Sequence, residues 1–170
     1  MCAKEWPSGL DLSMLCAQNI STLEEISVTD HSLLKLENQI CHSLYSATNA
    51  LIRAYRPLLA ELDLTYPQYL VMLALWQEDG VMIKRLVERT RFDAGTLTPI
   101  LQRLEQKALI LRTRSQEDSR QKLIVLAEQG RALSEQALKV PEAIVCELDM
   151  TAEEAALLKS LTEKLYRQLL

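Results

Sequence analysis

The sequence predicts a mainly α-helical protein with one two-stranded β-hairpin, and residues 93–126 are the basis of that prediction. Asp93 is a favourable N-cap residue, and apolar residues follow it at helical spacing: Leu97, Ile100, Leu101 and Leu104. After Leu109 the pattern changes to the alternation that is typical of strands, on either side of a charged turn at residues 115–120. A capped helix that leads into a short hairpin is the sequence form of a winged helix-turn-helix.

The other face of the predicted helix has side chains that could lie against base edges in a major groove without a clash. They are small, hydroxylic or hydrogen-bonding: Gly95, Thr96, Thr98, Pro99, Gln102 and Arg103. On the hairpin, Arg112 adds positive charge, Arg114 is expected to reach phosphate or the minor groove, and Asp118 is placed to pair with Arg120. An ordinary surface helix and hairpin with solvated charges would show the same pattern, so a second observation is needed.

That second observation is the uneven distribution of charge. The whole sequence has a formal net charge of -4, which argues against a protein that coats nucleic acid along its entire surface. Residues 84–122 contain ten Lys or Arg and five Asp or Glu, so this stretch is +5 and the rest of the chain is -9. A basic module on an acidic body indicates a localised phosphate-binding surface, and double-stranded DNA is the expected partner.

Composition excludes several other classes of protein. With 170 residues, of which 48% are hydrophobic, the chain can bury a core. No apolar run approaches the ~20 residues of a membrane span and no signal-peptide core follows Lys4, so we expect a cytoplasmic protein without membrane association. The four cysteines, at positions 2, 16, 41 and 146, lack CxxC spacing, so neither zinc nor another cofactor is expected. In a reducing cytoplasm they are structural or redox-active.

Four regions follow one another along the chain. They are an irregular leader (1–32), a first dimerisation helix (33–64), the winged helix-turn-helix lobe (65–127) and C-terminal dimerisation helices (128–170). The first helix is expected to be bent or interrupted near Pro57. Thr65 and Gln68 form a capping box at the start of the lobe. One helix is expected over residues 128–146, and a last one begins at a Thr151 cap.

The terminal helices are amphipathic but have no further core in the chain on which to bury their apolar faces. We therefore expect them to pack against a second subunit. A symmetric homodimer would place two recognition helices one helical turn apart on a palindromic operator.

Five segments carry a resemblance to a known family: LENQICHSLYSATNALIRAYRPLL, LDLTYPQYLVML, DAGTLTPILQRLE, LRTRSQEDSRQ and VPEAIVC. Over residues 33–170 the chain resembles the MarR family of winged-helix repressors, and within it the organic-hydroperoxide-resistance (OhrR) group. The resemblance implies that Cys41 senses peroxide, that Tyr45, Tyr55 and Tyr66 hold it, and that Cys146 is the resolving cysteine of the two-cysteine branch. Ala108 departs from the family pattern, which usually has glycine there, and the leader with Cys2 and Cys16 lies outside it.

The spacing of Cys41 and Tyr55 agrees with a dimer. Fourteen residues separate them, which is roughly 21 Å along a straight helix, so a contact between them requires an antiparallel partner helix. Phenolic hydroxyls that donate to sulfur favour the thiolate and lower the pKa of a cysteine. Without the family resemblance, a lone cysteine on a helix is more often a small hydrophobic residue in an interface.

The expected function is that of a repressor, not an enzyme, released from its operator when an organic hydroperoxide oxidises Cys41 and a disulfide forms with Cys146. Two alternatives remain open at this point. One is a MarR-type repressor that binds a small phenolic or lipophilic ligand. The other is a thiol peroxidase, although no obvious Arg or Thr activating group accompanies Cys41 in the sequence.

Overall fold

The computed structural model describes residues 31–114 and 122–170, and the chain divides into two compact units, Met1–Leu44 and Tyr45–Leu170. The described part of the first unit contains two short 3-10 helices, His31–Leu34 and Leu36–Asn38, and the start of helix α1, Ile40–Ala60. Everything from Tyr45 onward belongs to the second unit.

Helix α1 differs from the prediction at both ends. It begins at Ile40 and not at Leu33, because Lys35 and Gln39 have extended backbones with ψ of 134° and 110°. Pro57 lies inside α1 and the helix continues to Ala60, so of the predicted bend or interruption near Pro57 the interruption does not occur. Near a C-terminal end, proline removes a single backbone donor from the helix.

The capping box and the recognition helix that the sequence predicts for the lobe are both present. Helix α2 spans Tyr66–Gln77, and the Thr65 amide donates to Gln68 Oε1 at 2.9 Å, which confirms the capping box. Helices α3 and α4 span Ile83–Thr90 and Ala94–Gln106. The core of the lobe is formed by fully buried apolar side chains from the end of α1, from these three helices and from the sheet: Leu59, Met72, Leu75, Leu86, Leu97, Leu101, Leu104, Ile110 and Ile124.

The predicted hairpin is present, and it belongs to a larger sheet. Strands β2, Ile110–Arg114, and β3, Lys122–Leu126, pair antiparallel with Ile110 opposite Leu126 and Arg114 opposite Lys122. Strand β1, Val81–Met82, adds to the other edge of β3, so the order is β1-β3-β2. Two residues are too few to show an alternating pattern, and β1 was therefore missed in the sequence.

The C-terminal region contains three helices and not the two that were expected. Helix α5 spans Glu128–Ala137, α6 spans Lys139–Glu147, and α7 spans Ala152–Gln168. Pro141 explains the division, because it lacks the amide that a continuous helix would bond to the Ala137 carbonyl. The proline instead lies in the first turn of α6, where helices have unpaired amides in any case. The predicted Thr151 cap of α7 is present, with the Glu154 amide donating to Thr151 Oγ1 at 3.2 Å.

The start of α5 is joined closely to the end of the recognition segment. The Trp76 indole donates to the Gly130 carbonyl at 2.8 Å, and the Ala127 amide donates to the Leu109 carbonyl at 3.0 Å. A Cβ atom on Gly130 would lie 2.0 Å from that Leu109 oxygen, so only glycine fits. This contact aligns α2, α5 and the base of the hairpin.

Candidate DNA-binding surface and thiol site

The two faces of α4 are arranged as its periodicity predicts. Leu97, Leu101 and Leu104 are completely buried. The side chains that were predicted to face DNA are all exposed: Gly95, Thr96, Thr98, Pro99, Gln102 and Arg103. Helix α4 therefore presents a continuous polar face that no other part of the described chain covers.

Local hydrogen bonds engage the hydroxyl groups of the two exposed threonines of α4. The Thr96 hydroxyl donates to Asp93 Oδ2 at 2.6 Å, and the Thr98 hydroxyl donates to the Ala94 carbonyl at 2.8 Å. The Thr96 amide also donates to Asp93 Oδ1 at 2.8 Å, and the Thr96 bonds lower the pKa of the Asp93 carboxyl. With their hydroxyl protons engaged in these bonds, the oxygen atoms of both threonines can act only as acceptors toward any further partner.

Ion pairs neutralise half of the basic residues in the positive stretch. Acidic partners lie within 3.1 Å of five of them: Arg85 and Arg89 at Glu78, Arg91 at Glu163, Lys107 at Asp63, and Arg112 at Glu105. Among the described residues of the stretch, the basic side chains without such a partner are Lys84, Arg103, Arg114 and Lys122. Three of these four lie on α4 and the hairpin, so the unpaired positive charge in the described part of this stretch is concentrated there.

The two arginines of strand β2 differ in their surroundings. Arg112 is partly buried, and its Nε lies 3.0 Å from Glu105 Oε2, so this ion pair connects β2 to α4. Arg114 is exposed at the end of β2. The predicted pair of Asp118 and Arg120 lies outside the described residues.

The two predicted redox cysteines are both free, exposed thiols. Cys41 is the second residue of α1, and Cys146 lies in the last turn of α6. Cys2 and Cys16 lie outside the described residues. Within the described ranges, no cluster of His, Cys, Asp and Glu could hold a metal ion, and no helix is long and apolar enough to cross a membrane.

Two of the three predicted pocket tyrosines come together. The rings of Tyr55 and Tyr66 lie 4.9 Å apart between centroids, whereas Tyr45 is 70% exposed. Burial raises the pKa of both Tyr55 and Tyr66 above that of a free phenol, so both remain protonated and can donate at neutral pH. Tyr69 was not among the predicted pocket residues, although its position one turn after Tyr66 was a usable signal. Its buried ring lies 6.0 Å from Tyr55 and meets Trp76 edge-on at 6.3 Å.

A capped helix with an exposed polar face, followed by a hairpin with unpaired arginine, defines a winged helix-turn-helix DNA-binding protein. Comparisons with known proteins agree. The profile of the family described as transcriptional regulator SarA/Rot matches residues 53–137. The organic hydroperoxide resistance transcriptional regulator of Bacillus subtilis is 44% identical over 131 residues, which is 77% of this chain and 88% of that protein.

Solved structures show the same relationship. Reduced AbfR of Staphylococcus epidermidis bound to DNA is 34% identical with a TM-score of 0.68, over 81% of this chain and 94% of AbfR. The disulfide-formed AbfR matches with a TM-score of 0.59 at 31% identity, over 82% and 96%. A cysteine-to-serine mutant of Escherichia coli MarR complexed with operator DNA has a TM-score of 0.69 at 27% identity, over 74% and 91%.

The chain belongs to the MarR family of winged-helix transcriptional regulators, and to the organic-hydroperoxide-resistance group within it. It is a DNA-binding regulator of transcription and not an enzyme, so the thiol peroxidase alternative is not retained.

Proposed function

We propose that this protein is a repressor whose reduced homodimer binds a palindromic operator and leaves it when an organic hydroperoxide oxidises Cys41. The observation that carries the proposal is the pair of exposed, free thiols at Cys41 and Cys146 in a chain 44% identical to an organic hydroperoxide resistance regulator. Reactive cysteines have to be accessible to the oxidant, and structural cysteines are usually buried.

The unpartnered apolar side chains of the C-terminal helices support a homodimer. Many large hydrophobic residues on and between α6 and α7 are exposed: Val145, Leu148, Met150, Leu157, Leu158 and Leu161. Because burying one such side chain contributes about 1.5–3 kcal/mol, a second copy of these helices would stabilise them strongly. An antiparallel partner helix would also bring the partner's phenols of Tyr55 and Tyr66 to Cys41.

The chemistry is a two-electron oxidation of sulfur. The Cys41 thiolate attacks the terminal, hydrogen-bearing oxygen of the hydroperoxide, the S–O bond of a sulfenic acid forms, the O–O bond breaks, and the alkoxide leaves and takes up a proton to become the alcohol. The Cys146 thiolate then attacks the sulfenic sulfur, the S–S bond forms, and the hydroxide leaves as water. A thiol reductant returns both cysteines to the reduced state.

The disulfide would change DNA binding because it restricts the distance between the two cysteines. It requires the two Cα atoms to lie within about 7 Å of each other, which would draw α6 toward a partner's α1. Helix α5 connects α6 to the base of the hairpin, so this movement would change the spacing of the two recognition helices. The oxidant thus selects a dimer arrangement of lower operator affinity.

The pairing of the cysteines can be tested on non-reducing gels after oxidation with one equivalent of cumene hydroperoxide. We expect a reducible band at twice the monomer mass in wild type, Cys2→Ser and Cys16→Ser. We expect no such band in Cys146→Ser, because its sulfenic acid has no resolving thiol and persists or reacts with small thiols. A band that survives in Cys146→Ser but disappears in Cys16→Ser would show that the leader supplies the resolving cysteine.

The proposed DNA contacts can be separated by their salt dependence. Arg114→Ala should weaken binding to all sequences and reduce the slope of log K against log salt by about 1, because one phosphate contact is lost. Gln102→Ala should chiefly relax the preference among operator sequences. Arg85→Ala is the matched control, since Arg85 is already paired with Glu78. If Arg114→Ala and Arg85→Ala behaved alike, the hairpin would not be a phosphate contact.

A further inference from the structure

The C-terminal helix has a specific attachment to the helix-turn-helix. Helix α7 contains no buried residue. Its residue Glu163 nevertheless accepts two hydrogen bonds from Arg91, at 3.0 Å from Nη1 to Oε1 and at 2.8 Å from Nη2 to Oε2. The same guanidinium lies 3.9 Å above the centroid of the Tyr166 ring. We call Arg91, Glu163 and Tyr166 the α7 clamp.

Arg91 occupies the corner between α3 and α4. It directly follows Thr90, the last residue of α3, and precedes the N-cap residue Asp93 of the recognition helix by two positions. Its φ of 61° is in the left-handed region, which is unfavourable for a residue with a side chain. Any displacement of the Arg91 backbone would therefore pass directly to the cap and the first turn of α4.

The α7 clamp constrains the orientation of the Arg91 guanidinium as well as its distance from Glu163. A bidentate pair fixes the plane of the guanidinium against the carboxylate, and stacking on Tyr166 fixes its other face. The hydrogen bonds from Arg91 lower the pKa of the Glu163 carboxyl, and those to Glu163 raise the pKa of Arg91, so both remain charged near neutral pH. Because the pair is partly exposed, its contribution to overall stability is expected to be small.

We propose that Arg91 is a positioning residue through which the C-terminal helix α7 sets the orientation of the recognition helix and thereby the affinity for the operator. This inference rests on the proposed contact of α4 with DNA and is independent of the cysteine chemistry. It assigns to α7 a role in operator binding in addition to its proposed role in the dimer.

Removing the negative charge of Glu163 distinguishes two possible roles of Arg91. If Arg91 were simply a phosphate contact that Glu163 weakens, Glu163→Gln would release the guanidinium, tighten DNA binding and steepen the salt dependence. If the clamp positions α4, the same substitution should weaken operator binding although it removes a negative charge. The two interpretations therefore predict opposite signs.

The experiment uses the reduced, full-length protein without hydroperoxide. The probes are a fluorescent palindromic duplex that the wild type selects from a random pool and a scrambled duplex of equal composition. Binding of Glu163→Gln, Arg91→Lys and wild type is measured by anisotropy over a range of salt concentrations. Glu153→Gln is the matched control, because it removes the same charge from the exposed first turn of α7.

We expect Glu163→Gln to bind the selected duplex about 5- to 10-fold more weakly, with an unchanged salt slope and unchanged binding to the scrambled duplex. Arg91→Lys should show an intermediate loss, because lysine keeps the charge but not the bidentate geometry. Glu153→Gln should bind at least as tightly as wild type. Tighter binding by Glu163→Gln, a steeper salt slope, or behaviour equal to that of Glu153→Gln would overturn the inference.

Discussion

A Cys41→Ser protein is expected to bind operator DNA as tightly as wild type and to remain bound when an organic hydroperoxide is added. Serine preserves the approximate volume of cysteine, so the exposed position on α1 tolerates it. Its hydroxyl is not ionised near neutral pH and cannot attack the peroxide bond, whereas a cysteine thiolate can. Release is measured by anisotropy of a labelled operator duplex, with one equivalent of cumene hydroperoxide per subunit.

The other cysteines supply matched controls for this prediction. Cys2→Ser and Cys16→Ser should be released as wild type is, since neither is proposed to react first with the oxidant. If hydroperoxide released Cys41→Ser from the operator as it releases wild type, Cys41 would not be the sensor. Release of both wild type and Cys41→Ser by a phenolic compound, without any oxidant, would instead identify a repressor that responds to a small ligand.

A Gly130→Ala protein is expected to unfold at a much lower urea concentration than wild type. The carbon of its new methyl group would lie 2.0 Å from the Leu109 carbonyl oxygen. That backbone atom also accepts a hydrogen bond from the Ala127 amide. Relief of that overlap would move α5 and strain the 2.8 Å hydrogen bond from Trp76 to the Gly130 carbonyl. We expect a loss of about 3 kcal/mol in the free energy of unfolding, as for severe overpacking.

The measurement is equilibrium urea unfolding at one fixed protein concentration, because the stability of a dimer depends on concentration. Gln129→Ala is the matched control, since Gln129 is the exposed neighbour of Gly130 in α5. Its midpoint should stay close to that of wild type, within about 0.5 kcal/mol. Equal midpoints for Gly130→Ala and Gln129→Ala would show that the close approach to Leu109 can relax at little cost.

Local features of the fold and site could be predicted because each is encoded within one or two helical turns. The Asp93 cap, the Thr65 box and the buried stripe of α4 all depend on residues three or four positions apart. The division of the last helices was missed, although Pro141 was visible, because the apolar pattern continues across it and a proline can also occupy a first turn.

Sequence alone determined the class of this protein, the polar face of its recognition helix and the candidate thiol at Cys41. The first two depend on residue chemistry and on short-range periodicity, whereas the assignment of Cys41 depends on the family resemblance. Tertiary structure alone decided which positive charges are free, that β1 joins the wing sheet, and that Arg91 meets Glu163, 72 residues away in the chain. Such contacts form only when tertiary packing places separate elements next to each other. The spacing of residues along the chain therefore does not predict them.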